Sequence, residues 1–195
     1  MNGFEHFFCS SSLWSKVTSR HLLPWMLSGS CLGEHVLEIG AGYGAATPFL
    51  RERASQVTSL EYDSKSIARL KACHKVGLGG ALRGDASQLP FAGQTFTSAV
   101  AILVLHHLKS RELQDQMFAE VLRVLRPGGH FFAFEISDSW IHRVGHIAST
   151  FTPLVPGSAI ARLSNASFST IELDSRFGGF RLRAVRPHVE TQRGQ

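Results

Sequence analysis

A chain of 195 residues with 44% hydrophobic and 18% charged side chains can bury one full core, which excludes a disordered chain and requires no second domain. A formal charge of +5 raises a nucleic-acid partner; the longest apolar run, residues 99–105, is far too short to span a bilayer, and no basic region followed by an apolar run suggests a signal peptide. Cys9, Cys31 and Cys73 are odd in number and widely spaced, which argues against a disulfide framework or a zinc site and favours a reducing cytoplasm.

Residues 1–31 read as a helical cap rich in aromatics, with Phe4, Phe7, Phe8, Trp14 and Trp25. A short apolar strand over 35–40 then runs into Gly40, Gly42 and Gly44, and a helix is expected over 45–54. Glycines at those positions let the backbone turn tightly and approach a ligand with no Cβ in the way, and the helix start offers N–H groups to an anion. The same spacing satisfies the dinucleotide fingerprint, so the glycines alone leave the ligand open. Glu38 is the first discriminator. An acid two residues before the loop would repel a nicotinamide pyrophosphate, yet it suits a ligand carrying an ammonium group beside a carboxylate.

A second strand over 57–61 ends in Glu61, whose carboxylate can accept both hydrogen bonds of a ribose diol in either cofactor. After a helix over 64–75 and a third strand over 80–84, Asp85 stands where an adenine amino group needs an acceptor. The fourth strand, 98–105, opens into His106 and His107. A helix over 110–125 follows, with Leu113, Met117, Val121 and Val124 on one face and Glu112, Asp115, Glu120 and Arg123 elsewhere. Strand 129–136 leads to an apolar segment, 137–167, interrupted by Pro153, Pro156 and Gly157. The last two strands, 168–174 and 179–186, are too close for a crossover helix and must form a hairpin. Short apolar strands alternating with helices predict an α/β fold with a doubly wound, mostly parallel sheet of seven strands and an antiparallel C-terminal edge.

The series EIGAGYG, LEYD, GDASQLPF, LVLHHL and LRPGG, in that order, resembles the class I S-adenosylmethionine (SAM)-dependent methyltransferases of the type 11 group, which includes the ubiquinone/menaquinone type enzymes. It covers about 100 of the 195 residues. The resemblance implies a Rossmann-like fold, SAM as cofactor, and a single domain over 1–195 with a cap at 1–31, a core at 32–187 and a substrate-side insertion at 137–167. It implies Glu38, Gly40, Gly42, Gly44, Glu61, Tyr62, Asp85, Ala86 and Leu103 as cofactor contacts. Thr97 stands where such proteins often carry an acid, leaving one strand-edge contact without its usual group, and Ala41 replaces a frequent proline at little cost.

Methyl transfer from a sulfonium asks for positioning, exclusion of water, and removal of a proton when the acceptor carries one. His106 and His107 are the candidate catalytic groups, with His106 expected to face the acceptor by strand alternation; the competing reading is a turn histidine closing the strand. Arg176, Arg181, Arg183 and Arg186 crowd the final hairpin, read here as a solvated strand face rather than a phosphate footprint. The fourth strand lacks the NPPY-like end and nearby cysteine of base methyltransferases. His142 and His146 make only half a metal site, and no metal is expected. The leading function is transfer of a methyl group from SAM to a small apolar or aromatic metabolite. The alternatives are a nicotinamide-dependent oxidoreductase, opposed by Glu38 and by the missing Tyr-x-x-x-Lys pattern, and a SAM-binding protein without catalysis.

Overall fold

The computed structural model describes residues 11–73, 80–136 and 151–188. Seven strands, β1 His35–Ile39, β2 Gln56–Glu61, β3 Ala81–Arg83, β4 Phe96–Ile102, β5 Leu125–Ile136, β6 Ser169–Arg176 and β7 Gly179–Val185, form one sheet in the order β3-β2-β1-β4-β5-β7-β6. Pairing is parallel from β3 through β5, and β7 runs antiparallel to both β5 and β6. The expected doubly wound α/β sheet with an antiparallel edge is therefore present. Its strand order reverses between β1 and β4, where the chain leaves β1 for one half of the sheet and later returns to the other side.

Alternation along the strands divides the core between two faces. Leu37, Ile39, Ala99, Ala101, Phe131 and Ala133 point one way, toward α5 (Arg111–Val124) and α6 (Pro156–Asn165). Met117, Phe118, Val121 and Val124 are the buried apolar side of α5, whose start is capped by Ser110 Oγ accepting from the Leu113 N–H at 3.3 Å. Val36, Val100, Phe132 and Phe134 point the other way, toward Leu22, Leu23 and Met26 of the N-terminal cap and Phe49 and Leu50 of α3. That cap consists of α1 (Ser12–Val17), a π turn (Thr18–Leu22) and α2 (Leu23–Met26), and α3 is Thr47–Arg51. The remaining helix, α4, spans Ser64–Cys73. Among the described residues no helix is long and apolar enough to cross a membrane.

Several boundaries differ from the sequence reading. The helix expected over 45–54 shrinks to Thr47–Arg51, because the glycine loop continues through Ala46 and Pro48 occupies the first turn. The fourth strand stops at Ile102 instead of 105. Leu103 adopts φ +58°, which no strand can carry forward, and Leu105–His107 form a 3-10 turn. β5 begins at Leu125, which pairs with Phe96 before the register shifts around Gly128 and Gly129. Within the expected insertion, α6 starts at Pro156, a residue that reads as a breaker but suits the first helical turn, and it buries Ala159 and Leu163 four apart. Residues 137–150, with His142 and His146, and Phe4, Phe7 and Phe8 lie outside the described residues.

Thr97, in the position that often holds an acid, supplies a strand-edge contact through its hydroxyl. Its Oγ1 accepts the His35 N–H at 3.1 Å and lies 2.9 Å from the carbonyls of Leu32 and His35, tying β4 to the entry of β1. Arg176 is exposed, as a solvated face requires, but Arg181, Arg183 and Arg186 are not. The Arg181 guanidinium stacks on Trp25, donates to its carbonyl and to Ser28 Oγ, and pairs with Asp174. Arg183 pairs with Glu172 and lies over Phe132, and Arg176 lies over Phe177. Arg186 donates to the carbonyls of Leu122, Arg123 and Leu125 at 2.9, 3.0 and 2.6 Å, closing the C-terminal end of α5, where carbonyls otherwise lack helical partners. Charge-assisted bonds of this kind are worth about 2 kcal/mol together with the helix-end field. Arg186→Met, which keeps an apolar stem but no donor, is expected to lower unfolding stability by about 2 kcal/mol, read as a shift of the urea midpoint without a change of slope.

Candidate active site

The carboxyl ends of β1 and β4 meet where the strand order reverses, the place in an open α/β sheet where no connection covers the strand tips and a ligand can enter. After β1 the chain turns through Gly40, Gly42 and Gly44 at φ +67°, +54° and +84°. The Gly40 and Ala41 N–H groups both donate to the Leu60 carbonyl at 2.8 and 3.1 Å, so the loop leans toward the tip of β2. A Cβ on Gly40 would collide with Val104 from the end of β4, whereas one on Gly42 would meet nothing within 4 Å. Gly40 thus permits the two strand tips to close on each other, and Gly42 borders open space.

Two acids adjoin this loop and a third follows β3. Glu38, 3% exposed, receives the hydroxyls of Ser59 and Thr47 on Oε2 at 2.6 and 2.7 Å. Its second oxygen, Oε1, is buried and has no partner in the structure. Burial pushes its carboxyl up to about 7, with nearby Glu61 adding in the same direction and the hydroxyls of Ser59 and Thr47 and the charge of Arg51 opposing it. Glu61 Oε2 accepts the Gly42 N–H at 2.7 Å and Oε1 the Asp63 N–H at 2.8 Å, which leaves each oxygen a further lone pair. Asp85 Oδ1 holds the N–H and hydroxyl of Ser87 at 2.8 and 2.7 Å, folding the loop after β3. Tyr62 is 65% exposed, Ala86 is buried and Leu103 is half-buried.

An orphaned carboxyl oxygen aimed from a buried acid, a glycine bordering open space, and carboxylates with unused lone pairs suit a ligand that donates from an ammonium group, a diol and an amine. SAM carries all three, so the residues present fit it. A ligand with no donor at that point would leave Glu38 Oε1 unmatched. With a carboxyl raised to about 7, however, Glu38 discriminates less by full charge than its position in the sequence suggests.

The two histidines sit in the 3-10 turn beyond β4, so strand alternation cannot orient them and that part of the sequence reading falls. His106 is 2% exposed, with Nδ1 2.6 Å from Glu135 Oε2, while His107 is half-buried with its ring centroid 4.1 Å from that of His106. Glu135, at the end of β5, also accepts the N–H groups of Val104 and Leu105 on Oε1, at 2.8 and 2.7 Å. The Thr152 N–H donates to the His106 carbonyl at 2.8 Å, and Gln114 Nε2 bridges the carbonyls of Leu105 and Thr152 at 2.9 and 2.8 Å. Glu135 was not among the residues singled out from the sequence. Its signal was the one that marked Glu38, an acid closing an apolar strand. Among the described residues no cluster of His, Cys, Asp and Glu could hold a metal ion.

A family model described as a methyltransferase domain matches residues 37–133. The chain is 37% identical over 101 residues to a fatty-acid O-methyltransferase of Mycolicibacterium smegmatis, covering 51% of this chain and 36% of that protein. To a probable S-adenosylmethionine-dependent methyltransferase of the same species it is 31% identical over 131 residues, covering 67% of this chain and 47% of the relative. The chain therefore spans between a third and a half of the length of these curated relatives. Among solved structures, an S-adenosylmethionine dependent methyltransferase from Mesorhizobium loti superposes with a TM-score of 0.71 at 20% identity, covering 85% of this chain and 96% of that one. That likeness concerns the fold.

The raised Glu38 carboxyl has a consequence for stability. A folded value of about 7 against an ordinary 4.5 means that the native protein binds the proton more tightly than the unfolded chain. The contribution is fully present below the unfolded value and declines as pH rises through that window. Glu38→Gln keeps an acceptor for Ser59 and Thr47 without the titration. Unfolding free energies near pH 5 and near pH 8 should show the wild type losing about 2 to 3 kcal/mol relative to this variant.

Proposed function

Because the chain belongs to the class I SAM-dependent methyltransferases of the type 11 group, we propose that it transfers a methyl group from SAM to a small apolar or aromatic acceptor in the cytoplasm, acting as a single domain. The observation that supports this reading is the buried Glu38 carboxyl with an unpartnered oxygen just ahead of a glycine turn whose Gly42 N–H is held by Glu61. Family membership sets aside the oxidoreductase alternative.

In this reading Glu38 Oε1 takes the ammonium of SAM, Glu61 accepts from the ribose hydroxyls and Asp85 from the adenine amine. Gly40 and Gly44 shape the turn, and Tyr62, Ala86 and Leu103 line the walls. The bound sulfonium supplies an already activated methyl group. The protein's own task is to hold the acceptor in line and keep water out. His106 takes the acceptor's proton through Nε2, since Nδ1 is engaged by Glu135. The Phe151 ring packs beside that of His106, with centroids 5.7 Å apart. An apolar acceptor agrees with the fatty-acid substrate in the name of one relative.

Calorimetry should show SAM and S-adenosylhomocysteine binding and NAD not binding; tighter binding of NAD would sink the reading. Glu61→Ala removes a charge-assisted acceptor worth about 2 to 3 kcal/mol and should weaken SAM binding by tens of fold. With labelled SAM and a long-chain fatty acid, a long-chain alcohol and a phenol as probes, His106→Ala should lower turnover roughly a hundredfold at unchanged SAM affinity. If His107→Ala is the damaging change instead, the proton passes to the more exposed ring.

A further inference from the structure

We propose that Glu135 is a positioning residue that holds His106 in the tautomer whose Nε2 can accept a proton, an inference resting on the reading of His106 as the proton acceptor. The geometry is specific. Glu135 Oε1 receives two backbone N–H groups, from Val104 and Leu105, and Oε2 lies 2.6 Å from His106 Nδ1. A carboxylate oxygen only accepts, so the proton of that short bond belongs to Nδ1 and the neutral ring must leave Nε2 unprotonated. Both partners are buried, Glu135 at 1% and His106 at 2% exposure, so water does not compete for either end of the bond.

The same carboxylate sets the ring in place. Leu103 turns the chain out of β4 with φ +58°, held by its N–H donating to the Phe134 carbonyl at 2.8 Å, and the next two N–H groups are those gathered by Glu135 Oε1. Three successive amides of the turn are thus fixed to the end of β5, and His106 follows immediately. In the transfer step the acceptor oxygen forms a bond to the methyl carbon, the carbon–sulfur bond breaks with its electron pair going to sulfur, and the hydroxyl proton passes to Nε2. The ring then carries protons on both nitrogens beside an ionised carboxylate.

Glu135→Gln separates this role from simple packing. The two N–H groups of Val104 and Leu105 require an oxygen, so the amide must place its NH2 toward Nδ1, which becomes an acceptor and sends the ring proton to Nε2. Nitrogen-15 spectra of histidine-labelled full-length protein, recorded where the rings are neutral and assigned with His106→Asn, should show an Nδ1–H ring in the wild type and an Nε2–H ring in Glu135→Gln. An Nε2–H ring in the wild type, or an unchanged tautomer in the variant, would overturn the proposal. Should Glu135→Gln fail to fold, the wild-type spectrum still decides. If the tautomers behave as expected while His106→Ala methylates the long-chain alcohol at the wild-type rate, the proton-acceptor reading falls and the assignment of Glu135 as the tautomer-setting residue stands.

Discussion

A carboxylate taken out of water must be given donors, and in this sheet that requirement organises the strand tips. β1 and β5 each carry an acid on an otherwise apolar, buried stretch. Leaving such a group unsatisfied costs several kcal/mol, so each one draws neighbouring donors toward it. Glu38 gathers hydroxyls from α3 and β2; Glu135 gathers two amides and an imidazole from the turn after β4. Glu61 does the same for the glycine loop through the Gly42 N–H. The arrangement of the strand tips follows from these three acts of desolvation as much as from the apolar core beneath them. Only Glu38 keeps an oxygen without a partner, and that oxygen belongs to the acid nearest the reversal of strand order.

The acids near the glycine turn were legible because each ends a short apolar run, a pattern that period-2 reading exposes directly. Parallel pairing and the closing hairpin were legible because segment lengths and connection lengths constrain them. The orientation of His106 and His107 was not. Leu103 offers no sign in its side chain that its backbone will turn left-handed; what forces it there is its N–H bond to Phe134 and the pull of Glu135 on the next two amides. Those are contacts between positions about 30 residues apart, and no local preference announces them.

The hairpin arginines carry a similar lesson. Four basic residues on neighbouring strand positions look solvated when only the strand period is considered. Trp25, Phe132, Glu172, Asp174 and the open end of α5 reach them from elsewhere in the chain, and stacking or carbonyl contacts take up the guanidinium groups. A positive charge count therefore says little about a partner until the internal acceptors are known.

The pairing of β1 with β4 closes a long loop. His35 and Thr97, which mark its start, are 62 residues apart, whereas β6 and β7 meet across a two-residue turn at Phe177 and Gly178. Loop closure grows more costly with length, and contacts between distant segments come late relative to local ones. The glycine turn and the Val104 side chain against it lie at that late seam. During synthesis the chain can assemble its glycine loop against β2 before β4 has emerged, but Val104 cannot cover Gly40 until the two halves of the sheet have joined. Chain completion and the closing of the glycine turn are in this way linked: the half-built sheet has the turn without its far wall.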